Sequence, residues 1–192
     1  YDIVKPIATF LHPIRVEGLE NLPQGEPLLL CPNHSSNWDP ILLMCALGRS
    51  VNLRIMGKNQ LFKIPILRTF LRKMGVFPVD RGHSDIGAVK TSIQALRDGD
   101  LLMVFPEGTR VRKKNRGVRP KGGVAMMAIR GGTKLMPIYI GTKKRLFAPV
   151  PIIFGKPFAP EYTGRKGTAE EYQANADKVM RQAYALGGEA WT

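Results

Sequence analysis

The feature that most constrains the fold is a series of short apolar runs that alternate with segments of helical periodicity. Apolar strand-like runs occupy residues 15–19, 28–32, 51–56, 76–79, 101–105, 135–140 and 151–154. Helical patterns occupy residues 3–11, 41–47, 61–74, 84–96, 122–129 and 168–186. Regular alternation of strands and helices predicts an α/β fold with a mixed, mainly parallel sheet flanked by helices. The uninterrupted apolar run at 101–105 is typical of a parallel strand covered on both faces.

Chain length predicts one folded unit. With 192 residues and no internal repeat or linker, the chain fits a single domain with a sizeable core. Residues 1–13 form a separate N-terminal segment. Its apolar helix, flanked by Lys5, His12 and Arg15, is either an ordinary core helix or an interfacial helix in a membrane surface, and we favour the second.

The net charge of +14 indicates an anionic partner, such as a nucleic acid, a lipid surface or a phosphorylated substrate. A nucleic-acid-binding protein is one interpretation, but the aromatic residues are not interleaved with the basic ones as a stacking surface requires. Cys31 and Cys45 lie in apolar runs, and the three histidines are too scattered for a zinc site. No apolar run reaches the roughly 18–20 residues of a membrane span.

The segment at 33–40, Asn-His-Ser-Ser-Asn-Trp-Asp-Pro, lies between a predicted strand and a predicted helix. Such a turn can bring the Asp39 carboxylate to the His34 imidazole. A carboxylate on one ring nitrogen leaves the other free to accept a proton, as a general base does. The same residues also suit a purely structural role, with Asp39 as N-cap and Pro40 as the first helical residue.

Further polar groups follow the other predicted strands. Lys58 follows one strand, Asp80 and Arg81 a second, and residues 107–110, Glu-Gly-Thr-Arg, a third. Ligands of open α/β sheets bind beyond the carboxyl ends of the strands, so we expect these groups to gather near His34. Structural alternatives remain: Arg81 as a solvated strand end and Glu107 as the partner of an arginine. The Gly-x-Ser-x-Gly signature of a serine nucleophile is absent.

Four blocks of the chain resemble those of the glycerolipid acyltransferases, and within them the lysophosphatidic acid acyltransferases. The blocks are Asn33-His34-x4-Asp39, the segment 75–81 (Gly-Val-Phe-Pro-Val-Asp-Arg), the segment 105–110 (Phe-Pro-Glu-Gly-Thr-Arg) and Met136-Pro137-Ile138. The segments 15–23 and Lys58-x2-Leu61-x3-Pro65 add to the similarity, which spans roughly residues 14–157.

The resemblance implies acyl transfer from acyl-CoA or acyl-carrier protein to the sn-2 hydroxyl of lysophosphatidate, with no metal or organic cofactor. His34 would be the general base and Asp39 its orienting partner. The acceptor would be bound by Arg81, Glu107, Gly108, Thr109 and Arg110, with Lys58 and Lys121 as further phosphate ligands. Residues 14–192 would form the acyltransferase domain.

Alternatives within and beyond this family remain open at the level of sequence. The acceptor could be glycerol-3-phosphate or another lysolipid, and a hydrolase could use the same His34 and Asp39 on water. The expected setting is the cytoplasmic face of the cell membrane, where a peripheral enzyme would meet an anionic lipid surface without binding nucleic acid.

Overall fold

The computed structural model describes residues 4–49, 51–80, 85–111 and 118–191. The strands in this part of the chain are β1 (Ile14–Glu17), β2 (Leu28–Pro32), β3 (Leu53–Lys58), β4 (Val76–Val79), β5 (Leu101–Met103), β6 (Lys134–Ile140) and β7 (Val150–Phe154). The α-helices are α1 (Val4–Leu11), α2 (Asp39–Leu47), α3 (Pro65–Lys73), α4 (Ile86–Arg97), α5 (Gly123–Gly131) and α6 (Ala169–Leu186). Short 3₁₀ helices occupy Leu19–Asn21 and Asn59–Lys63.

These strands form one mixed sheet in the order β1-β7-β6-β2-β5-β3-β4. Neighbouring strands are parallel except for the antiparallel pair β6 and β7. The predicted α/β class and the mainly parallel sheet are therefore confirmed, as is the edge position of β1.

Helices cover both faces of this sheet. Alternate residues of β2 point to opposite sides, as strand geometry requires. Leu28 and Leu30 pack with α2 and with Ala8 of α1, whereas Leu29 and Cys31 pack with α4, α5 and α6. All five residues of β2 are buried, which explains its continuous apolar sequence.

The observed starts of two helices differ from the predicted pattern at 84–96 and from the predicted N-cap at Asp39. Helix α4 is capped by Asp85, whose side chain accepts from the Ala88 N–H, and Ser84 lies outside the described residues. Asp39 is not an N-cap: it is the first residue of α2, which follows Trp38, and its carboxylate turns back towards the preceding loop. That orientation matters for the site described below.

β1 and β7 run opposite to the other five strands. One edge of the sheet therefore contains the ends of β2, β3, β4, β5 and β6 together with the starts of β1 and β7. The end of α1 and the loop 141–149 therefore lie at the same edge as the loop that follows β2. Among the described residues, no helix is both long and apolar enough to span a bilayer.

Candidate active site

His34 and Asp39 form a close pair in the loop between β2 and α2. The distance from His34 Nδ1 to Asp39 Oδ2 is 2.9 Å, and the two residues are 8% and 0% exposed. The tight turn before α2 brings the ends of this five-residue interval together, as the sequence predicted. Since Nδ1 faces the carboxylate, the neutral imidazole presents Nε2 as its proton acceptor.

Asp39 is held as a carboxylate by several donors. Oδ2 also accepts hydrogen bonds from the backbone N–H groups of Ser35, at 2.6 Å, and Ser36, at 2.7 Å. Oδ1 lies 2.6 Å from the ammonium nitrogen of Lys144. Burial pushes the pKa of Asp39 upward, but the contacts with His34, Lys144 and Ser36 outweigh it and hold the pKa below its usual value.

Glu107, in the loop after β5, supports the same loop. Its Oε2 accepts a hydrogen bond of 2.7 Å from the His34 N–H, and its Oε1 accepts one of 2.6 Å from the Tyr184 hydroxyl of α6. The Val111 N–H in turn donates to the His34 carbonyl at 2.7 Å. The loop after β5 therefore fixes the backbone of His34 from both sides.

These contacts revise the predicted role of Glu107. We expected it to bind the acceptor, but it is only 2% exposed and both its oxygens accept bonds from the protein. We therefore assign Glu107 to positioning His34. Burial raises the pKa of Glu107 to about 7, and the negative charge of Asp39 acts in the same direction. The hydrogen bonds from Tyr184 and His34 lower the pKa but do not outweigh burial.

The His34 ring contacts the wall of a cleft that is mainly apolar but also lined by Asp80, Asp85, Lys121 and Arg130. It stacks on Phe105 with ring centroids 4.1 Å apart and planes inclined by 28°. Phe105 also lines a cleft of about 880 Å³ between α4 and α5. Its apolar lining includes Met56, Val79, Ile86, Val89, Val104, Val124, Met126 and Met127. A long hydrocarbon chain matches this volume and lining.

The predicted phosphate-binding groups are arranged around this cleft and edge. Gly108 and Lys121 line the cleft, while the exposed Lys58 ends β3, roughly 10 Å from β2 at the usual strand spacing. Thr109 is exposed and Arg110 is half-buried, and Arg110 directly precedes Val111, whose N–H bonds to the His34 carbonyl. Arg81 lies outside the described residues. Gly108 has φ +65°, a left-handed conformation that favours glycine.

Three positioning side chains escaped the sequence analysis. Lys144 contacts Asp39, Tyr184 contacts Glu107, and Asn33 pairs with the backbone of Ile140 through bonds of 3.0 and 2.7 Å. Asn33 thereby continues the pairing of β2 with β6 beyond the strand end. The position of Asn33 directly before His34 could have indicated a role at the site. Lys144 and Tyr184 lie 110 and 150 positions away from His34 in sequence, so no such indication existed for them.

The cysteines are unsuited to nucleophilic chemistry. Cys31 and Cys45 are buried and unpaired by disulfide bonds. Burial raises the pKa of both thiols, so neither provides a reactive thiolate. They are small apolar core residues, as the sequence predicted.

Comparison with known proteins agrees with this geometry. A sequence profile of the Acyltransferase family matches residues 13–141. A chloroplastic 1-acyl-sn-glycerol-3-phosphate acyltransferase of Arabidopsis thaliana is 35% identical over 135 residues, which cover 68% of this chain but 37% of that protein. A 1-acyl-sn-glycerol-3-phosphate acyltransferase of Bacillus subtilis is 31% identical over 161 residues, covering 81% of this chain and 79% of the relative.

The fold has a solved counterpart. The crystal structure of the 1-acyl-sn-glycerophosphate (LPA) acyltransferase PlsC from Thermotoga maritima superimposes with a TM-score of 0.72 at 23% identity, covering 99% of this chain and 81% of that one. At this identity the likeness concerns the fold. The profile match over residues 13–141, together with the Bacillus relative, shows that this chain belongs to the acyltransferase family.

Proposed function

We propose that the protein transfers a fatty acyl group from acyl-CoA or acyl-carrier protein to the sn-2 hydroxyl of 1-acyl-glycerol-3-phosphate, forming phosphatidic acid. The observation that carries this proposal is the His34–Asp39 pair at the border of an apolar cleft. An oriented base and a hydrocarbon-sized cleft are the two features that acyl transfer to a hydroxyl requires.

The reaction uses the pair as follows. His34 Nε2 takes the proton of the acceptor hydroxyl while the hydroxyl oxygen attacks the thioester carbonyl. The tetrahedral intermediate collapses, the carbon–sulfur bond breaks, and the imidazolium returns its proton to the leaving thiolate. Asp39 fixes the imidazole tautomer and stabilises the transient positive charge. All proton transfers involve protein and substrates, so no metal or organic cofactor takes part.

The cleft between α4 and α5 would hold an acyl chain next to the base. Phe105 both stacks on His34 and lines the cleft, so a chain whose carboxyl end lies at Phe105 would have that end near the imidazole. Burial of each methylene of such a chain is worth about 0.8 kcal/mol. The lining is therefore a source of affinity for long-chain substrates.

Cations at the catalytic edge would bind the acceptor phosphate. Arg81 and Arg110 are the main candidates by resemblance, with Lys58 and Lys121 as further ligands and Gly108 and Thr109 as part of the same loop surface. A charge-assisted contact contributes about 1.5–3 kcal/mol. Arg110→Ala is therefore expected to raise the KM for lysophosphatidate about tenfold to hundredfold, with little change in the KM for the acyl donor.

Arg119 provides the matched control for this substitution. It is exposed and pairs with Asp177 of α6 at 3.0 Å. Initial rates measured over a range of each substrate should therefore be almost unchanged in Arg119→Ala. Equal increases in both KM values for Arg110→Ala would show that Arg110 serves the fold or the donor.

The experiment that tests the function is a transfer assay with purified protein and a panel of acceptors. The panel contains lysophosphatidate, glycerol-3-phosphate, a neutral lysolipid and water alone, each with acyl-CoA and with acyl-carrier protein. We expect phosphatidic acid as the main product from lysophosphatidate. Preferred acylation of glycerol-3-phosphate, or thioester hydrolysis that is indifferent to the acceptor, would overturn the proposal.

We further propose that the protein works as a peripheral enzyme on the cytoplasmic, anionic face of the cell membrane. Exposed apolar side chains gather at the catalytic edge in two groups, here called the α1 patch (Phe10, Leu146, Phe147) and the α3 patch (Leu61, Ile64, Ile66, Ile86). The sheet order places His34 between them. Exposed cations adjoin both patches, namely Lys143 and Arg145 on one side and Lys58 and Lys63 on the other.

This arrangement extends the sequence prediction. The N-terminal segment was expected to contact lipid through Ile3, Ile7, Phe10 and Leu11. Ile7 and Phe10 are exposed, while Ala8 packs in the core with α2, Leu11 is half-buried and Ile3 lies outside the described residues. The α3 patch was not foreseen as a lipid contact. Both patches together would hold the catalytic edge against the bilayer that contains the acceptor.

A further inference from the structure

Lys144 is a buried cation on the far side of Asp39 from the catalytic imidazole. Its side chain is 6% exposed, although Lys143 and Arg145 on either side are exposed. Its ammonium nitrogen lies 2.6 Å from Asp39 Oδ1, 2.9 Å from Ser35 Oγ and 2.6 Å from the Gly141 carbonyl oxygen. The contacts with Ser35 and Gly141 are hydrogen bonds, and the contact with Asp39 Oδ1 is a close ion pair.

The Asp39 carboxylate therefore divides its two oxygens. Oδ2 faces the imidazole and the backbone of the catalytic loop, whereas Oδ1 faces Lys144. A fully buried carboxylate is expensive to keep ionised unless a positive charge compensates it. His34 cannot supply this positive charge while it acts as a base, because a base must be neutral. Lys144 is a buried cation that contacts the carboxylate and can supply it.

We propose that Lys144 is a positioning residue of the catalytic pair, which holds Asp39 ionised and limits how strongly Asp39 attracts a proton to His34. This inference rests on the proposed role of His34 as general base. Without Lys144, the full charge of Asp39 would stabilise the imidazolium, and His34 would spend more of its time protonated. With Lys144, part of that charge is neutralised and His34 stays available to accept a proton.

Lys144 also joins the catalytic loop to the loop 141–149. The same loop carries Phe147, whose N–H donates to the Leu11 carbonyl at 2.8 Å and whose ring packs on Phe10 with centroids 5.4 Å apart. A role as a simple anchor of this loop is the competing explanation. It predicts loss of stability or rate but no change in the protonation of His34.

Other ionisable groups face the pair and must be considered in a titration. Glu107, from the loop after β5, accepts from the His34 N–H and is itself bonded to Tyr184 of α6. Arg110 lies in the same loop, and His12, after α1, packs edge-on against Trp38 at 5.1 Å. Because Glu107 has a pKa of about 7, a titration of activity alone could mix its protonation with that of His34.

The test follows the His34 ring directly by NMR and compares it with the pH dependence of kcat/KM. The chain has three histidines, so a His34→Gln spectrum identifies the His34 signals. In Lys144→Met, we expect the ring titration and the acid limb of the rate profile to move together to higher pH by about one unit or more, as for loss of a cation beside an ion pair. Lys144→Arg keeps the charge and should largely restore both positions.

Lys134→Met is the control, since it removes an exposed cation at the start of β6, at the edge of the sheet opposite the site, and it should leave both curves unchanged. A Lys144→Met protein that loses rate while the His34 titration stays in place would overturn the proposal and show an anchor only. The NMR measurement needs no substrate, so it tests Lys144 even where the transfer assay disproves the proposed reaction.

A second variant keeps the proposal testable if Lys144→Met fails to fold. If Lys144→Met does not fold, the Asp39→Asn/Lys144→Met protein, which lacks both charges, should recover a folded state, because its buried pair is neutral. Recovery supports the charge-compensating role of Lys144. Failure of the double variant as well would show that Lys144 is needed to anchor the loop, and would contradict the proposal.

Discussion

Two buried carboxylates beside His34 have pKa values displaced in opposite directions. Asp39 is surrounded by donors and a cation, which hold its pKa below the usual value despite burial. For Glu107, burial and the charge of Asp39 outweigh its two hydrogen bonds and raise its pKa to about 7. The difference in environment separates their roles. Asp39 provides a permanent charge for the imidazole, and Glu107 shapes the loop that carries it.

The displaced pKa of Glu107 predicts a pH-dependent stability. Between its ordinary value of 4.5 and about 7, the unfolded chain has released this proton while the folded chain keeps it. Stability is therefore lost as pH rises through this window, by at most about 3 kcal/mol. In Glu107→Gln this loss should disappear. Asp39, with its lowered pKa, contributes in the opposite sense and at lower pH.

Denaturant unfolding of both proteins at several pH values checks this prediction. The free energy of unfolding of the wild type minus that of Glu107→Gln should fall by up to about 3 kcal/mol as pH rises from 4.5 to above 7. A difference that does not vary with pH would mean that Glu107 titrates normally in the folded protein.

At the scale of residues, the sequence predicted what is local and missed what is distant. His34 and Asp39 share one turn, so their spacing indicated contact. Lys144 belongs to the run Lys143-Lys144-Arg145, which is indistinguishable in composition from a solvated basic loop. Its burial depends on the packing of the loop after β6 against the loop after β2. The sequence predicted that Glu107 lies at the site. Its side chain points into the protein, where it bonds to Tyr184 of α6, and the sequence did not indicate this contact.

At the scale of elements, glycine governs how α3 connects to β4. Gly75 has φ +74°, and a Cβ built there would lie 2.1 Å from the Leu53 carbonyl oxygen of β3. The turn after α3 therefore needs both a left-handed residue and the absence of a side chain. This close approach sets the start of β4 and so the position of the strand that leads towards Arg81.

Gly75→Ala is expected to destabilise the protein by roughly 3 kcal/mol or more, at the upper end of single substitutions. Gly25 is the matched control, with φ +73° and no atom within 4 Å of a built Cβ. Gly25→Ala should cost only the conformational strain, about 1–2 kcal/mol. Equal losses in the free energy of unfolding would show that the backbone contact at Gly75 carries no weight.

Element types were predictable because each segment shows a clear period, but some boundaries were not. The strand expected at 101–105 is β5, Leu101–Met103. Phe105, Pro106 and Glu107 leave the sheet to form the turn in which the Gly108 N–H donates to the Phe105 carbonyl at 3.0 Å. Phe105 is buried in the core, as its place in the apolar run indicates, and its ring also stacks on His34 and lines the cleft.

On the scale of the whole molecule, the catalytic edge combines the base, the cleft and the apolar patches on one side. A net charge of +14 predicted an anionic partner, and the topology supports the proposal that the edge bearing His34 is the one that meets it. β1 and β7 run opposite to the remaining strands, and this brings α1 to the edge that bears His34. No local pattern in the sequence indicates such a reversal.

The proposed lipid contact predicts the behaviour of two surface variants. Phe10→Ser removes a side chain that is 70% exposed in the α1 patch, and Ile66→Ser one that is 86% exposed in the α3 patch. Complete insertion of one such side chain is worth about 1.5–3 kcal/mol, so each variant should weaken binding to anionic vesicles by up to about a hundredfold. Binding of the wild type should also weaken with salt and require anionic lipid.

Leu19→Ser serves as the control for co-sedimentation with these vesicles. Leu19 is 39% exposed but follows the end of β1, at the opposite edge of the sheet. Its variant should bind like the wild type. Vesicle binding that ignores lipid charge and falls equally in all three variants would contradict a bilayer contact at the catalytic edge.

The measurement that tests the central claim most directly is the rate of acyl transfer to lysophosphatidate by His34→Ala, with its melting temperature and vesicle binding recorded in parallel. Loss of a general base predicts a fall of at least about 10²-fold in kcat, while the fold and the membrane affinity stay unchanged. A His34→Ala protein with near wild-type turnover would contradict the assignment of His34 as the base, and with it the mechanism built on the His34–Asp39 pair.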